Sequence, residues 1–288
     1  MKLRGIITPM LTPFKLNGEI DYDSTGKLLS YLRDIGVAGV FPNGSTGLFT
    51  FLSSEERMKF LEFVAENSKG MKVLAGIGSS STQESIRLGK HAKDVGADAV
   101  VLMPTYYITP GQEEIVRHFS DVIKSVRKEI FIYNIPQLSG ARIEPSTISR
   151  LISGHSEIIG LKESSADMRY FSELMQFSGP DFSIFQGQDD LLIPSMSIGA
   201  DGGVCGLTNF SDPVVSAFRD YTAGKYEEAR KTQVEKINPL LRSLLLSRFP
   251  SAYYYAFYRK FGINGGYRSP MVEPSKEGKS AVDKLLGH

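Results

Sequence analysis

The sequence predicts a (β/α)8 barrel with additional helices at its C-terminal end. Short apolar segments alternate with longer amphipathic ones eight times over about 225 residues, which is the repeat number of that barrel. The main alternative, a doubly wound open sheet, is disfavoured because no Gly-x-Gly-x-x-Gly motif follows the first strand. Residues 225–288 have a helical pattern with no flexible linker before them. We therefore assign residues 1–224 to the barrel and residues 225–288 to a helical extension packed on it.

Each predicted strand is a short run of apolar residues, followed by polar turn residues and an amphipathic segment. Branched apolar side chains suit strands that are covered on both faces. Ser53 and Ser54 before two glutamates mark a helix start, because hydroxyls and carboxylates satisfy the free N–H groups of a first turn. The predicted strands are 5–8, 37–42, 73–78, 97–103, 130–134, 158–165, 182–185 and 202–205. The predicted helices are about 21–35, 53–68, 82–95, 112–127, 145–152, 168–177, 191–198 and 213–223, with 225–247, 252–261 and 275–286 in the extension.

Composition and charge are those of an ordinary globular protein. Hydrophobic residues make up 41% and charged residues 23% of the chain, and the formal net charge is +1. That balance argues against nucleic acid or an anionic membrane as a partner. Cys205 is the single cysteine, so an intrachain disulfide is excluded and a reducing compartment fits. Because there is no signal-peptide pattern and no apolar run near the ~18 residues that span a bilayer, we expect a soluble cytoplasmic protein.

The residues at the C-terminal strand ends are the candidates for chemistry, because active sites of such barrels lie there. Lys162 lies towards the C-terminal end of the sixth predicted strand. An amine in an apolar pocket loses the hydration of its charged form, so more of it is free amine, which attacks ketones to form Schiff bases. The alternative is a lysine that extends its ammonium into water. The other distinctive strand ends carry Ser45, Thr46, Tyr106, Tyr107, Tyr133, Gly187, Asp189, Asp190 and Val204.

Each of these residues also has a purely structural interpretation. The Gly44–Gly47 segment could be a simple turn, or a nest of N–H groups and hydroxyls that binds a carboxylate. Tyr133 could fill the barrel or transfer protons at a substrate oxygen. The pair Tyr106–Tyr107 could pack at an interface, and the pair Asp189–Asp190 could cap a helix or bind sugar hydroxyls. Together, an amine, phenols, hydroxyls and carboxylates at one mouth are the groups that carbonyl chemistry requires.

A metal ion is the competing means of polarising a carbonyl. His91 and His118 fall in predicted helices, His155 follows a helix, and His288 is the terminal residue. None of the four histidines is at a strand end, so a zinc-type site has little support. We expect neither a metal nor another cofactor.

Three segments of the chain resemble the signatures of a known family. They are Gly44–Gly47 (GSTG), Tyr133–Pro136 (YNIP) and Gly160–Glu163 (GLKE), and their order and spacing are similar to those of the dihydrodipicolinate synthase/N-acetylneuraminate lyase superfamily. The similarity covers essentially the whole chain, and the three motifs together are highly specific. The resemblance implies a homotetrameric (β/α)8 barrel with C-terminal helices, which forms a Schiff base between pyruvate and the strand-six lysine.

The resemblance also implies a role for each candidate residue. Lys162 would form the imine with pyruvate or with the 2-keto acid being cleaved, and Tyr133 would relay the proton at the aldol hydroxyl. Ser45 and Thr46 would hold the pyruvate carboxylate and continue the relay, which Tyr107 would complete from a neighbouring subunit. The protonated imine accepts electrons from C–C cleavage, and reversal adds the enamine to an aldehyde. The remaining candidate substrate-binding residues are Gly47, Gly187, Asp189, Asp190 and Val204.

Three positions distinguish among members of the superfamily. Leu138 stands where dihydrodipicolinate synthases carry an arginine, so a second substrate carboxylate would lose its bidentate partner. Leu48 replaces the usual Glu and makes the loop more similar to archaeal 2-keto-3-deoxygluconate aldolases. Gly206 aligns with a serine of the lyases, which removes one hydroxyl contact to a long sugar. The resemblance therefore implies a short sugar acid, with 2-keto-3-deoxygluconate cleaved to pyruvate and glyceraldehyde as the expected reaction.

Alternatives to that reaction remain open. N-acetylneuraminate lyase and 4-hydroxy-tetrahydrodipicolinate synthase are alternatives within the superfamily, and the segment Pro136–Gly140 resembles the lyases. A metal-dependent aldolase and a non-catalytic barrel that serves as a binding protein are alternatives from other classes. The segment Thr105–Gly111 after strand four contains no Lys or Arg, so we expect no advantage for a substrate with a 6-phosphate.

Overall fold

The computed structural model describes residues 2–287, and its framework is a closed barrel of eight parallel strands. The strands pair in chain order, and the last pairs with the first, so the predicted (β/α)8 fold is confirmed. Met1 and His288, the terminal histidine considered above, lie outside the described residues. The strands are β1 Gly5–Pro9, β2 Gly39–Phe41, β3 Lys72–Gly76, β4 Ala99–Leu102, β5 Ile130–Asn134, β6 Ile158–Glu163, β7 Ser183–Gln186 and β8 Gly202–Val204.

Helices follow the strands and cover the outside of the barrel. The predicted helix start after β2 is confirmed, because the Ser53 hydroxyl accepts from the Glu56 N–H while the Glu56 carboxylate accepts from the Ser53 N–H. In the part of the chain that the structure describes, no helix has both the length and the apolar character needed to cross a bilayer. The helices up to the extension are α1 Tyr22–Ile35, α2 Ser54–Asn67, α3 Thr82–Asp94, α4 Gln112–Val126, α5 Pro136–Ser139, α6 Pro145–Gly154, α7 Met168–Leu174, α8 Leu192–Ser197 and α9 Pro213–Thr222.

The C-terminal extension begins with the helix predicted over 225–247, which runs without a break over 226–244. It contains one π-helical turn, Gln233–Ile237, between its two α-helical parts. Pro239 explains the wide turn, because proline has no N–H and its ring clashes with the carbonyl four residues earlier. The extension packs on the barrel through aromatic side chains, such as Tyr254 stacked on Phe14 at 5.9 Å between ring centroids. Its helices are α10 Tyr226–Thr232, α11 Asn238–Leu244, α12 Ser251–Phe261 and α13 Lys276–Leu286.

A separate apolar cluster fills the inside of the barrel. Side chains alternate along each strand, so every second residue points inward and the rest pack against the helices. The inner cluster places Tyr133 and Val204 inside the barrel, as expected for residues of a site at the strand ends. Its buried members are Ile7, Phe41, Phe49, Leu74, Ala99, Val101, Met103, Phe131, Tyr133, Ile135, Phe185 and Val204.

Candidate active site

Lys162 points into the barrel at the carboxyl end of β6. Its side chain is 5% exposed, and Nζ lies 4.1 Å from the ring centroid of Tyr133 and 5.0 Å from that of Phe41. Tyr133 pairs with Lys162 in the β5–β6 register, so the phenol and the amine share one layer of the barrel. The ammonium therefore does not extend into bulk water, and the amine has the apolar, aromatic surroundings that a Schiff-base lysine needs.

The residues next to Tyr133 and Lys162 point outward and tie the two strands together. Asn134 pairs with Glu163 in the same register, and its Nδ2 donates to the Glu163 carboxylate over 2.6 Å. The Asn134 amide oxygen also accepts from the Ile143 N–H at 3.0 Å. Burial raises the pKa of Glu163, although hydrogen bonds from Ser165 and Asn134 act in the opposite direction. The hydrogen bond between Asn134 and Glu163 holds the strand register that places the inward-pointing Lys162 and Tyr133 side by side.

The GSTG loop after β2 presents unused backbone donors. The N–H groups of Gly47 and Leu48 donate within the turn, to the carbonyls of Gly44 and Ser45 at 3.1 Å. The N–H groups of Ser45 and Thr46 find no acceptor among residues 2–287. Two free N–H groups beside two hydroxyls are donors of the kind that an anion-binding nest offers to a carboxylate.

Glycine is required at position 47 because two loops meet there. A Cβ on Gly47 would lie 2.6 Å from the Met10 carbonyl oxygen. The Thr12 hydroxyl donates to the Gly47 carbonyl at 2.8 Å, which ties the loop after β1 to the loop after β2. Gly47, predicted as a substrate-binding residue, is therefore placed in the mouth by contacts of its backbone.

Asp189 is committed to the backbone of the loop after β8. It is 5% exposed, and its two carboxylate oxygens accept from the N–H groups of Gly206 at 3.0 Å and Leu207 at 2.9 Å. Burial raises the pKa of Asp189 to about 6, although these two N–H groups lower it. The hydrogen bonds do not support the predicted hydroxyl-binding role of Asp189, because they give its carboxylate a positioning role. The neighbouring Asp190 is half-buried, and its carboxylate accepts no hydrogen bond from residues 2–287.

The two aspartates should therefore respond differently to substitution. Asp189→Ala leaves two buried N–H groups without an acceptor, which costs about 1–3 kcal/mol in the free energy of unfolding. Asp190→Ala should keep that free energy and instead lower kcat/KM about 5- to 150-fold for a substrate with a hydroxyl tail. Thermal unfolding and steady-state kinetics on a long and a short 2-keto acid measure the two effects. Equal losses on both substrates in Asp190→Ala would contradict the assignment.

The pH dependence of the free energy of unfolding reports on the burial of the Asp189 carboxyl group. Because its pKa is raised in the folded chain, the native state holds this proton more tightly than the unfolded state does. The contribution of Asp189 to the free energy of unfolding should therefore increase as the pH falls from about 6 towards the ordinary aspartate value. Asp189→Asn should remove this contribution of Asp189 to the pH dependence, which denaturant titrations at several pH values measure. A pH profile that is unchanged in Asp189→Asn would contradict the raised pKa of Asp189.

Two residues of the mouth were not assigned from the sequence. Ser164 lies two residues after Lys162, and its hydroxyl is buried with no hydrogen-bond partner among residues 2–287. Gly187 makes room for it, since a Cβ there would be 1.9 Å from the Ser164 oxygen. Tyr253 comes from α12, and its ring occupies the place of a side chain at Gly206, 2.7 Å from an added Cβ. The alternation of inward and outward side chains along β6 could have indicated Ser164, because it lies two residues after Lys162. Tyr253 lies in the extension, so the strand–helix repeat of the barrel gives no indication of it.

The mouth opens into a pocket of about 320 Å³ beside the GSTG loop. This volume suits a small ligand. A narrow cavity of about 10 Å³ that is lined by Tyr133 shares Ser45, Phe49 and Met103 with it, so the two cavities are adjacent. Leu48 and Leu138, two of the positions that distinguish among members of the superfamily, lie in the same wall. The pocket is lined by Ser45, Leu48, Phe49, Thr50, Phe51, Met103, Tyr106, Leu138, Arg248, Phe249 and Pro250.

Tyr107 lies outside the site of its own chain. It is 96% exposed, has a left-handed backbone with φ of 79°, and borders a different cavity of about 490 Å³ together with His118. A left-handed conformation is uncommon for a bulky residue and holds the phenol out from the surface. The predicted role of Tyr107 in the proton relay therefore requires a second subunit.

The histidines make hydrogen bonds away from the strand ends. His91, His118 and His155 contact Glu62, Thr82 and Ser120, respectively. Burial lowers the pKa of His118 to about 4, so this ring is neutral near pH 7. Between residues 2 and 287, no three His, Cys, Asp or Glu side chains are grouped as metal ligands.

Comparison with known proteins agrees with this geometry. Residues 2–288 match the dihydrodipicolinate synthetase family. The chain is 52% identical over 283 residues to an uncharacterised DapA-like lyase of Thermoplasma acidophilum, covering 98% of this chain and 97% of that protein. It is 47% identical over 262 residues to a 2-dehydro-3-deoxy-D-gluconate/2-dehydro-3-deoxy-phosphogluconate aldolase of Picrophilus torridus, covering 91% and 97%.

A solved structure extends the similarity to three dimensions. The 2-keto 3-deoxygluconate aldolase from Picrophilus torridus superposes with a TM-score of 0.92 at 46% identity, over 94% of this chain and 98% of that one. Both the family match and these identities extend over nearly the full length, so the GSTG, YNIP and GLKE segments lie within the matched region. The chain belongs to the dihydrodipicolinate synthetase family and is a carbon–carbon lyase of the aldolase type.

Proposed function

We propose that the protein is a Schiff-base aldolase that reversibly cleaves a 2-keto-3-deoxy sugar acid to pyruvate and an aldehyde. The observation that carries the proposal is the Lys162 amine, buried at the strand ends 4.1 Å from the ring centroid of Tyr133. The loop with free N–H groups at Ser45 and Thr46 supplies a place for the carboxylate of the keto acid. An amine, a phenol and an anion nest are the minimal set for imine chemistry on a 2-keto acid.

The proposed mechanism uses the chain's own groups. The Lys162 amine attacks C2 of the keto acid, and loss of water gives a protonated imine. Tyr133 relays the proton of the C4 hydroxyl, since it accepts this proton as it passes its own phenolic proton to the hydroxyls of Ser45 and Thr46. The C3–C4 bond breaks, and its electron pair flows into the imine to form an enamine while the aldehyde leaves. Protonation of the enamine at C3 and hydrolysis of the imine release pyruvate and regenerate the amine.

The best-supported substrate is 2-keto-3-deoxygluconate, which would give pyruvate and glyceraldehyde. Leu138 of α5 lies in the wall of the pocket and supplies no guanidinium for a second carboxylate, which disfavours the synthase activity. Gly206 carries no side chain and so supplies no hydroxyl to a long sugar, which disfavours the lyase activity. The name of the Picrophilus torridus relative supports the same substrate.

We further propose that the enzyme acts as a homotetramer in the cytoplasm. The exposed Tyr107, 96% accessible in the single chain, supports the association of subunits, because the family resemblance gives it a role in a neighbouring site. Tyr107 has a left-handed backbone and lies beside the exposed Ile108, so these two side chains are suited to contact a partner subunit.

Substrate choice can be tested by one set of parallel reactions. Pyruvate release should be measured from 2-keto-3-deoxygluconate and from N-acetylneuraminate, and condensation of pyruvate with aspartate semialdehyde should be followed as the third reaction. We expect the highest kcat/KM for 2-keto-3-deoxygluconate, and an activity insensitive to chelators. A higher kcat/KM for either other reaction would overturn the substrate, and loss of activity with chelator would overturn the metal-free mechanism.

A further inference from the structure

One residue links the C-terminal extension to the GSTG loop. Thr12 lies in the loop after β1, and both Thr12 and Tyr254 of α12 are fully buried. The Thr12 N–H donates to the phenolic oxygen of Tyr254 at 3.3 Å, and the Thr12 hydroxyl donates to the Gly47 carbonyl at 2.8 Å. Two hydrogen bonds through a single residue therefore connect helix α12 to the loop that presents the free N–H groups.

Gly47 closes the turn that carries those N–H groups. Its own N–H donates to the Gly44 carbonyl at 3.1 Å. The free N–H groups of Ser45 and Thr46 lie between these two residues. Gly47 also packs closely on the loop after β1, since an added Cβ would lie 2.6 Å from the Met10 carbonyl oxygen. A shift of the loop after β1 is therefore expected to move both donors.

Tyr254 holds the loop after β1 through its ring as well as its oxygen. The ring stacks on Phe14 with 5.9 Å between centroids and 10° between planes. Among residues 2–287, the phenolic oxygen is the only acceptor for the Thr12 N–H. A buried N–H without an acceptor is costly, so loss of that oxygen alone is expected to displace the Thr12 backbone while the stacked rings stay in place.

We propose that Tyr254 positions the carboxylate-binding GSTG loop through Thr12, so that α12 of the extension is part of the pyruvate site. This inference rests on the proposed function, since the loop must hold the carboxylate of the keto acid that reacts with Lys162. Tyr254 and Thr12 make these hydrogen bonds to the backbone of other segments, so both are positioning residues. Their effect should therefore appear in the binding of the anionic end of the ketone and not in the attack of the amine on a carbonyl.

The test compares imine formation with pyruvate and with pyruvamide, its uncharged amide, by borohydride trapping on Lys162 over a range of ketone concentrations. Tyr254→Phe keeps the ring stack and removes only the oxygen. This variant should raise the half-saturating concentration of pyruvate about tenfold, the effect of one lost buried hydrogen bond, and leave that of pyruvamide within about twofold. Thr12→Val, which lacks the donor to Gly47, should lose the same preference for pyruvate. Thr12→Ser should retain the preference, because serine keeps the hydroxyl.

Tyr258→Phe is the matched control for this experiment. Tyr258 lies in the same helix, and its buried hydroxyl bonds to Phe14 and Gly266 but not to Thr12. Its replacement should leave the preference for pyruvate unchanged. Combining Tyr254→Phe with Thr12→Val should give less than the product of the two separate losses, because both changes act on one chain of hydrogen bonds.

The outcomes separate this inference from the proposed function. An unchanged ratio of the two half-saturating concentrations in Tyr254→Phe, an equal loss with both ketones, or the same loss in Tyr258→Phe would overturn the role of Tyr254 while the proposed function stands. Independent losses in the double variant would overturn the link through Thr12. Absence of any pyruvate imine in the wild-type enzyme would overturn the proposed function and this inference with it.

Discussion

Replacing Lys162 by methionine is expected to abolish pyruvate release, with kcat/KM reduced on the order of 10⁴-fold or more. Methionine keeps the apolar stem against the rings of Phe41 and Tyr133 but cannot form an imine. Without the amine no imine can form, so the electron pair of the breaking C–C bond has no acceptor. The expected loss is therefore larger than that from removing a contact that only orients the substrate. Pyruvate release can be followed in a coupled lactate dehydrogenase assay.

A matched lysine variant separates this effect from general damage. Lys72 lies at the start of β3, at the opposite end of the barrel, where it pairs with Asp98 at 2.7 Å. Lys72→Ala should therefore retain wild-type turnover. A folded Lys162→Met enzyme, shown by an unchanged unfolding transition, with activity within about tenfold of wild type would contradict the catalytic assignment.

Replacing Tyr133 by phenylalanine is expected to lower kcat on the order of 10²–10⁴-fold, the contribution of one positioned acid–base group. The ring of Tyr133 packs edge-on against Phe41 at 5.9 Å between centroids, and phenylalanine preserves that contact. The phenolic oxygen is what is lost, so the protein should stay folded and still form an imine with pyruvate. Rapid-quench kinetics of single-turnover cleavage measure the loss directly.

Tyr258→Phe is the control for removal of a buried phenolic hydroxyl. The hydroxyl of Tyr258 donates to the Gly266 carbonyl at 2.8 Å and accepts from the Phe14 N–H at 3.1 Å, within the extension and its contact with the barrel. This variant should lower the melting temperature and keep turnover. Near-normal turnover in a folded Tyr133→Phe enzyme would leave Tyr133 as a barrel-filling aromatic residue.

The fold was predictable because its cause is local and repeated. Each strand is a short apolar run and each helix an amphipathic one, so the eightfold alternation can be counted along the chain. The β5 bounds at 130–134 agree with the prediction. The helix predicted over 225–247 is present over 226–244, but periodicity alone does not reveal the π-helical turn that precedes Pro239.

The candidate site was predictable only in part, because several of its contacts join distant segments. Lys162 and Tyr133 come together through strand pairing, which the strand assignment implies. Asp189 bonds to Gly206, 17 residues away, through a turn after β8 that no local pattern marks. Tyr253 and Arg248 reach the mouth from the extension. Their positions could not be predicted, because the way the extension packs depends on the whole surface that it shares with the barrel.

The central claim is that Lys162 forms a covalent imine with pyruvate, and reductive trapping tests it most directly. The enzyme should be incubated with pyruvate and borohydride, digested, and mapped by mass spectrometry, with Lys162→Met treated in parallel. We predict one reduced pyruvate adduct per chain, located on Lys162 and missing from the variant. An adduct on another lysine, or equal labelling of Lys162→Met, would contradict the account.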